Sequence, residues 1–227
     1  MANLKYTKLI TVISLILFTV LISPVTGAET KVSQVLDRIL ETHRPYSAGM
    51  SVPYRRKILT RSMAMLDDMG SDIASGTFFF KEPDMLKVEQ KEPVIEYVIS
   101  NGKKIWFYEP EKKTVSKIDS IGRSLSIISM IFTGLKNPEE TFNVSILEPD
   151  GADYYELTLI PDETWEEIDN IKILVSKKDY IINRIEIIDI TGNLTRFKLG
   201  AFEQKKGLEA GFFEFAVPDG VRVIEEE

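Results

Sequence analysis

The sequence contains no cysteine and a single histidine in 227 residues. The first absence excludes thiolate metal sites, a catalytic thiol, any disulfide framework and a lipid-modified N-terminal cysteine. The second excludes a histidine-rich zinc site and leaves His43 as the one candidate for a Ser-His-Asp triad. Positive charge is also scarce: 28 Lys and Arg stand against 35 Asp and Glu, a formal charge of −7, which argues against a nucleic-acid surface. No glycine-rich phosphate loop and no metal-ligand spacing occurs, so neither cofactor nor metal is expected. Adjacent carboxylates at Asp67-Asp68, Glu139-Glu140 and Glu166-Glu167 and at the C-terminal Glu225 to Glu227 read as solvated loops, because neighbours on a strand point to opposite faces. His43 follows the last apolar position of a helical pattern, where a cation caps the helix dipole more readily than it performs catalysis.

Much of the apolar content lies in one block. Lys5 and Lys8 precede an uncharged run from Leu9 to Ile22, followed by Ser23, Pro24 and the small residues Gly27 and Ala28. A basic start, a short apolar core, a helix breaker and small residues match a cleavable secretory signal over 1–28. The run falls short of the ~20 residues of a spanning helix. Cleavage before Glu29 removes two lysines and leaves an exported, acidic chain, residues 29–227, read as a single domain.

Val32, Val35, Leu36, Ile39 and Leu40 share one helical face, and Pro45 closes that helix over 31–43. Beyond it the period is mostly two. Strands are expected at 50–61, 73–81, 84–91, 94–100, 103–109, 112–118, 141–148, 153–160, 170–176, 180–190, 193–202 and 212–216. Asn101-Gly102 predicts a type I′ hairpin, and Thr191-Gly192-Asn193 a second tight turn. Pro83, Pro93 and Pro110 mark strand ends. The sheet is therefore expected to be mostly antiparallel and sequentially connected. Ile121, Leu125, Ile128 and Phe132 break the period with a short apolar helix, ended by Gly134 and Pro138, that serves either as a core plug or as a lid over a cavity; the pattern favours the plug.

Alternation nominates an interior. Lys87 and Glu89 turn Leu86 and Val88 inward; Lys172 and Ser176 do the same for Ile171, Ile173 and Val175. Arg184 and Glu186 oppose Ile185 and Ile187, and Arg196 and Lys198 oppose Phe197 and Leu199. The consecutive runs Phe78 to Phe80 and Ile105 to Tyr108 give both sheet faces apolar surface, which the 31–43 helix is available to cover. The glycosylation patterns at Asn143 and Asn193 lie in a strand and a tight turn and carry little weight. Arg55, Arg56, Lys57 and Lys103, Lys104, Lys112, Lys113 are the cationic clusters, read either as strand solvation or as contacts for an acidic partner or anionic headgroups.

The block Gly76-Thr77-Phe78-Phe79-Phe80-Lys81-Glu82-Pro83-Asp84-Met85-Leu86, then Glu92-Pro93, then Ser100-Asn101-Gly102 leading to Trp106-Phe107-Tyr108-Glu109-Pro110, resembles the periplasmic outer-membrane lipoprotein carrier family, LolA. The closing Phe213 to Val221 segment resembles that family's C-terminal motif. The resemblance implies an α+β fold that is mainly β: an unclosed antiparallel β-barrel of about 11 strands with an N-terminal helix and a helical lid over a hydrophobic cavity. It turns the 121–132 helix from plug to lid, and it implies a periplasmic, non-enzymatic shuttle that holds lipoprotein acyl chains. The family's partners are an inner-membrane ABC-type lipoprotein-releasing complex and an outer-membrane lipoprotein acceptor, with the carrier monomeric.

Combining resemblance and alternation, the cavity residues are expected to be Leu86, Val88, Leu125, Ile128, Phe132, Ile173, Ile185, Ile187, Phe197 and Leu199. Many relatives carry arginine before the proline of the first motif, where it latches the lid; here that position is Glu82. Tyr54-Arg55-Arg56 likewise stands where an aromatic-x-Gln pattern is common. Divergent proteins with this fold serve as envelope-stress sensors or general lipid binders, which is the alternative reading.

Overall fold

The computed structural model describes residues 30–61, 72–118, 123–163 and 167–226, with the side chains of 72, 123–126 and 226 outside that description. The signal-like segment 1–28 and Asp67-Asp68 lie outside the described residues. Helix α1 (Lys31–His43) begins where the Thr30 hydroxyl accepts the Ser33 N–H at 3.3 Å. It buries Val35, Leu36 and Ile39, the apolar face that the spacing predicts.

Thirteen strands form one sheet: β1 (Met50–Leu59), β2 (Asp72–Lys81), β3 (Met85–Glu92), β4 (Glu96–Asn101), β5 (Ile105–Glu109), β6 (Thr114–Ile118), β7 (Phe142–Leu147), β8 (Tyr154–Pro161), β9 (Ile168–Ser176), β10 (Ile182–Asp189), β11 (Leu194–Leu199), β12 (Glu203–Gln204) and β13 (Arg222–Glu226). Two antiparallel meanders, β1 to β6 and β7 to β11, are joined by pairing of β1 with β11. The connection between the meanders carries helix α2 (Arg123–Phe132). The sheet runs from β13 at one edge to β7 at the other without closing. The mainly antiparallel sheet with an N-terminal helix is what the residue patterns predict, and its open form is what the family resemblance implies.

Four local expectations are corrected. The segment 212–216 is not a strand: Ala210–Phe213 is a 3₁₀ turn, and the last strand is β13, which pairs parallel with β6. Glu225 and Glu226 therefore lie in a strand, and Glu225 is 3.4 Å from the Lys117 ammonium. At the β4–β5 hairpin only Gly102 takes a positive φ, of 84°. Asn101 instead acts through its side chain, whose Oδ1 accepts the N–H groups of Lys103 and Lys104 at 3.0 and 2.9 Å. His43 is no cationic cap: it is fully buried, 4.9 Å edge-on to Phe202, and burial pushes its pKa down to about 4.

The fourth correction concerns the two apolar faces. Ladder partners face the same side, so Phe79, Lys87, Ile99 and Trp106 form an outer row. The C-terminal segment covers this face, not α1: Phe212 packs on Phe79 at 5.2 Å, and Phe215 on Tyr108 at 5.1 Å. Helix α1 packs instead into the main core on the inner face, with Met50, Val52, Val175 and Ile182.

Candidate functional site

Two inner rows run across the sheet. One passes from Ala74 through Arg56, Phe197, Ile185 and Ile173 to Leu157; the next passes from Ile58 through Thr195, Ile187 and Ile171 to Leu159. Where α1 lies over the inner face, Val175 and Ile182 are wholly buried and the interior is filled. Towards the other end of the strands α2 crosses the rows and leaves a cavity of about 300 Å³ beneath it.

That cavity is lined by Phe78, Ile127, Ile128, Ile131, Phe132, Ile168, Ile185, Ile187 and Phe197, with exposed Glu167 at its rim. Among the described residues, no polar side chain other than Glu167 contributes to the lining, so these residues offer apolar burial and almost no hydrogen bonding. Such a space suits hydrocarbon and not a polar substrate. An apolar track leaves it along the inner row Phe78, Val88, Val98 and Phe107, where Phe107 is 40% exposed.

Of the residues nominated from the sequence, Ile128, Phe132, Ile185, Ile187 and Phe197 line this space. Ile173 is fully buried in the same inner row as Ile185, and Leu199 is half-buried beside Tyr54. Leu86 faces inward as expected but is sealed into the filled core opposite Phe80, and Val88 is half-buried on the track. The side chain of Leu125 lies outside the described residues. Alternation missed Phe78, because three consecutive phenylalanines hide their own phase. It missed Ile127 and Ile131 because α2 is apolar beyond a single stripe. Ile168 sat in what reads as an acidic loop, yet it opens β9.

Helix α2 is held chiefly by apolar contact. Ile127, Ile131 and Phe132 are buried, with the Phe132 ring 5.3 Å from Phe78 and 5.7 Å from Phe80. Among the described residues, one polar link ties it to the β2–β3 turn: the Ser129 hydroxyl donates to the Pro83 carbonyl at 2.6 Å. Glu82 shows no latching contact among the described residues. Its backbone N–H donates to the Ser47 carbonyl at 2.9 Å, its side chain is exposed, and among the described residues its carboxylate makes no hydrogen bond or ion pair to α2. At its far end α2 stops against α1. Gly134, at φ 85°, lies so close that an added Cβ would fall 2.8 Å from the His43 Cβ and 2.9 Å from the Leu40 Cα.

Residues 65–216 match the family described as outer membrane lipoprotein carrier protein LolA. The chain belongs to the LolA family. Among its LolA relatives, the outer-membrane lipoprotein carrier protein of Azotobacter vinelandii is 28% identical over 170 residues, covering 73% of this chain and 79% of that one. The protein of the same name from Alkalilimnicola ehrlichii is 29% identical over 155 residues, covering 67% and 68%. The fold is also shared with an uncharacterized conserved protein of Thermus thermophilus, with a TM-score of 0.51 at 11% identity, over 87% of this chain and 100% of that one.

Proposed function

We propose that this LolA-family protein is a non-enzymatic periplasmic carrier that takes the acyl chains of lipoproteins beneath α2 and shuttles them from the inner to the outer membrane. The observation that carries this reading is the apolar cavity between an open sheet and a helix fixed mainly by apolar contacts. Three long acyl chains in water represent on the order of 30 kcal/mol of unfavourable exposure at about 0.8 kcal/mol per CH₂. A cavity of about 300 Å³ stands at the low end of small-molecule sites, about 300–1,000 Å³, and is too small for three such chains. Uptake therefore requires α2 to move.

Plug and lid then describe one helix in two states. In the closed state Ile127, Ile131 and Phe132 fill the space; in the loaded state acyl chains replace them against Phe78, Ile185 and Phe197. Hydrocarbon is exchanged for hydrocarbon, so the net free energy of loading stays modest and the cargo can leave again. Strong polar contacts along the chains would defeat release. In this scheme residues 1–28 direct export, residues 29–227 form the carrier domain, an ABC-type inner-membrane complex loads it and an outer-membrane acceptor unloads it.

The test is release of a radiolabelled triacylated lipoprotein from inner-membrane vesicles carrying the ABC-type complex. Addition of the purified protein with ATP is expected to move label into a soluble complex. Label that stays with the vesicles at all protein concentrations contradicts the proposal.

A further inference from the structure

The outer face of β1, β11 and β10 carries an arrangement of charge that works against the sheet. Three cations stand directly opposite one another in one cross-strand row: Arg55 pairs with Lys198, and Lys198 with Arg184. Two residues along the strands, the next outer row holds Lys57, Arg196, Glu186 and Lys172 in register. Neighbouring strands lie about 4.8 Å apart, and like charges directly opposite each other destabilise a sheet. On a chain of formal charge −7, this face is a local reversal of sign. The carboxylates around it are already engaged. Glu186 is buried between Arg196 at 2.7 Å and Arg184 at 3.7 Å, and Glu156 holds Lys172 at 3.0 Å. Glu92, two strands beyond Arg55 in the same row, accepts the Ser75 hydroxyl at 3.0 Å. Glu203, opposite Ser51 further along β1, pairs with Lys205 at 2.7 Å. Arg55 and Lys198 are exposed and, among the described residues, make no ion pair.

We propose that the outer face of β1, β11 and β10 docks an extended acidic segment of a partner protein, with Arg55 and Lys198 as its principal contacts. The spacing suits a strand-like occupant. Arg55 and Lys57 on β1, like Lys198 and Arg196 on β11, are two residues apart, about 7 Å, which is also the separation of alternate carboxylates on an extended peptide. Carboxylates are the groups that an exposed guanidinium takes through two parallel hydrogen bonds. A lipid surface is the poorer occupant. The net negative charge of the chain opposes its approach to an anionic bilayer. The patch also lies on the opposite face of the sheet from Ile185 and Phe197, so a bilayer bound here would sit behind the cavity and not at it. A protein segment on this face leaves the cavity beneath α2 open. The inference goes beyond the carrier reading and does not depend on it.

The test titrates the purified protein at low salt with a fluorescent peptide of alternating glutamate and threonine and, separately, with phosphatidylglycerol vesicles. Wild type is compared with the double variant Arg55→Gln, Lys198→Gln and with Lys103→Gln, Lys112→Gln, which removes the same charge from the other cationic cluster. Wild type is expected to bind the peptide in preference to the vesicles, and added salt is expected to weaken that binding. The Arg55, Lys198 variant is expected to bind the peptide about tenfold more weakly and the Lys103, Lys112 variant within about twofold of wild type. Urea unfolding supplies a second readout: removing two like charges that face each other is expected not to lower the midpoint. Equal losses in the two variants, vesicles bound in preference to the peptide, no binding of either probe, or a lowered midpoint for the Arg55, Lys198 variant each overturn the inference. None of these outcomes touches the acyl-chain reading, which is tested by release from vesicles.

Discussion

The Ser129 hydroxyl reaches the Pro83 carbonyl at 2.6 Å and is the polar tie between α2 and the β2–β3 turn. Ser129 is itself buried, so the bond is shielded from water. A neutral hydrogen bond of this kind contributes about 1 kcal/mol net, small beside the apolar contacts of Ile127, Ile131 and Phe132. The tie therefore fixes where α2 rests more than how strongly it is held.

Ser129→Ala is accordingly expected to lower stability by about 1 kcal/mol in urea unfolding and to speed uptake of a fluorescent fatty-acyl probe. The companion Glu82→Ala is expected to change neither quantity measurably, because among the described residues the Glu82 carboxylate makes no hydrogen bond or ion pair to the helix. A large effect of Glu82→Ala with none of Ser129→Ala contradicts this assignment of the latch.

Gly134→Ala places a Cβ against the Leu40 backbone at a positive φ, where an L side chain is strained as well as crowded. Loss of stability above about 2 kcal/mol is expected, from steric displacement of α2 relative to α1 plus backbone strain. The urea midpoint measures it. Gly151→Ala, at a φ of 70° with nothing within 4 Å, is the control for strain alone and is expected to cost less.

His43 gives the fold an acid-sensitive element. Its folded pKa of about 4 lies below the ordinary 6.5 because burial disfavours the cation, only partly offset by a hydrogen bond to the Tyr180 backbone. The unfolded chain thus takes up a proton before the folded one does. This contribution is complete above pH 6.5 and is lost as pH falls towards 4, with a total of about 3 kcal/mol. The slope of unfolding free energy between pH 7 and 4 measures it. His43→Phe is expected to reduce that slope, and an unchanged slope contradicts the assignment.

Asp189 is the keystone of the β10–β11 turn. Its Oδ1 accepts the Thr191 hydroxyl at 2.7 Å and the N–H groups of Thr191 and Asn193 at 2.9 and 2.8 Å, and its pKa is pushed down to about 2, chiefly by the Thr191 hydroxyl. A carboxylate held below its ordinary pKa stabilises the fold above pH 3.8 and loses that effect as pH falls towards 2. Asp189→Ala is expected to raise amide exchange at Asn193 and the turn while leaving the α1 region protected. Uniform exchange across the chain contradicts a local role.

Strands from β1 to β11 were legible because period-two alternation and turn residues act locally, whereas the 3₁₀ turn at Ala210–Phe213 and the parallel strand β13 were not. Leu86, Ile173 and Ile185 turned inward as their charged neighbours require. What stayed hidden depends on partners distant in sequence. Nothing near His43 announces that Phe202 and Ile182 enclose it. The covering of Trp106 by the segment around Phe215 needs the chain to return from more than a hundred residues away. The cavity is assembled from β2, α2, β9, β10 and β11, so its lining follows from strand register and the resting position of α2. Leu86 and Phe197 look equivalent by pattern; register places one in the filled core and the other at the cavity.

The central claim is that acyl chains occupy the space beneath α2, and photo-crosslinking tests it most directly. A photoreactive phenylalanine analogue at Phe197, inside the cavity, and one at Leu147, 58% exposed on β7, are each presented with a triacylated lipoprotein and with the same lipoprotein lacking its acyl chains. The account predicts a crosslink from position 197 to the acyl chains of the lipidated cargo alone, and none from position 147. Crosslinking from position 147 with none from position 197, or equal crosslinking from position 197 to cargo without acyl chains, would contradict it.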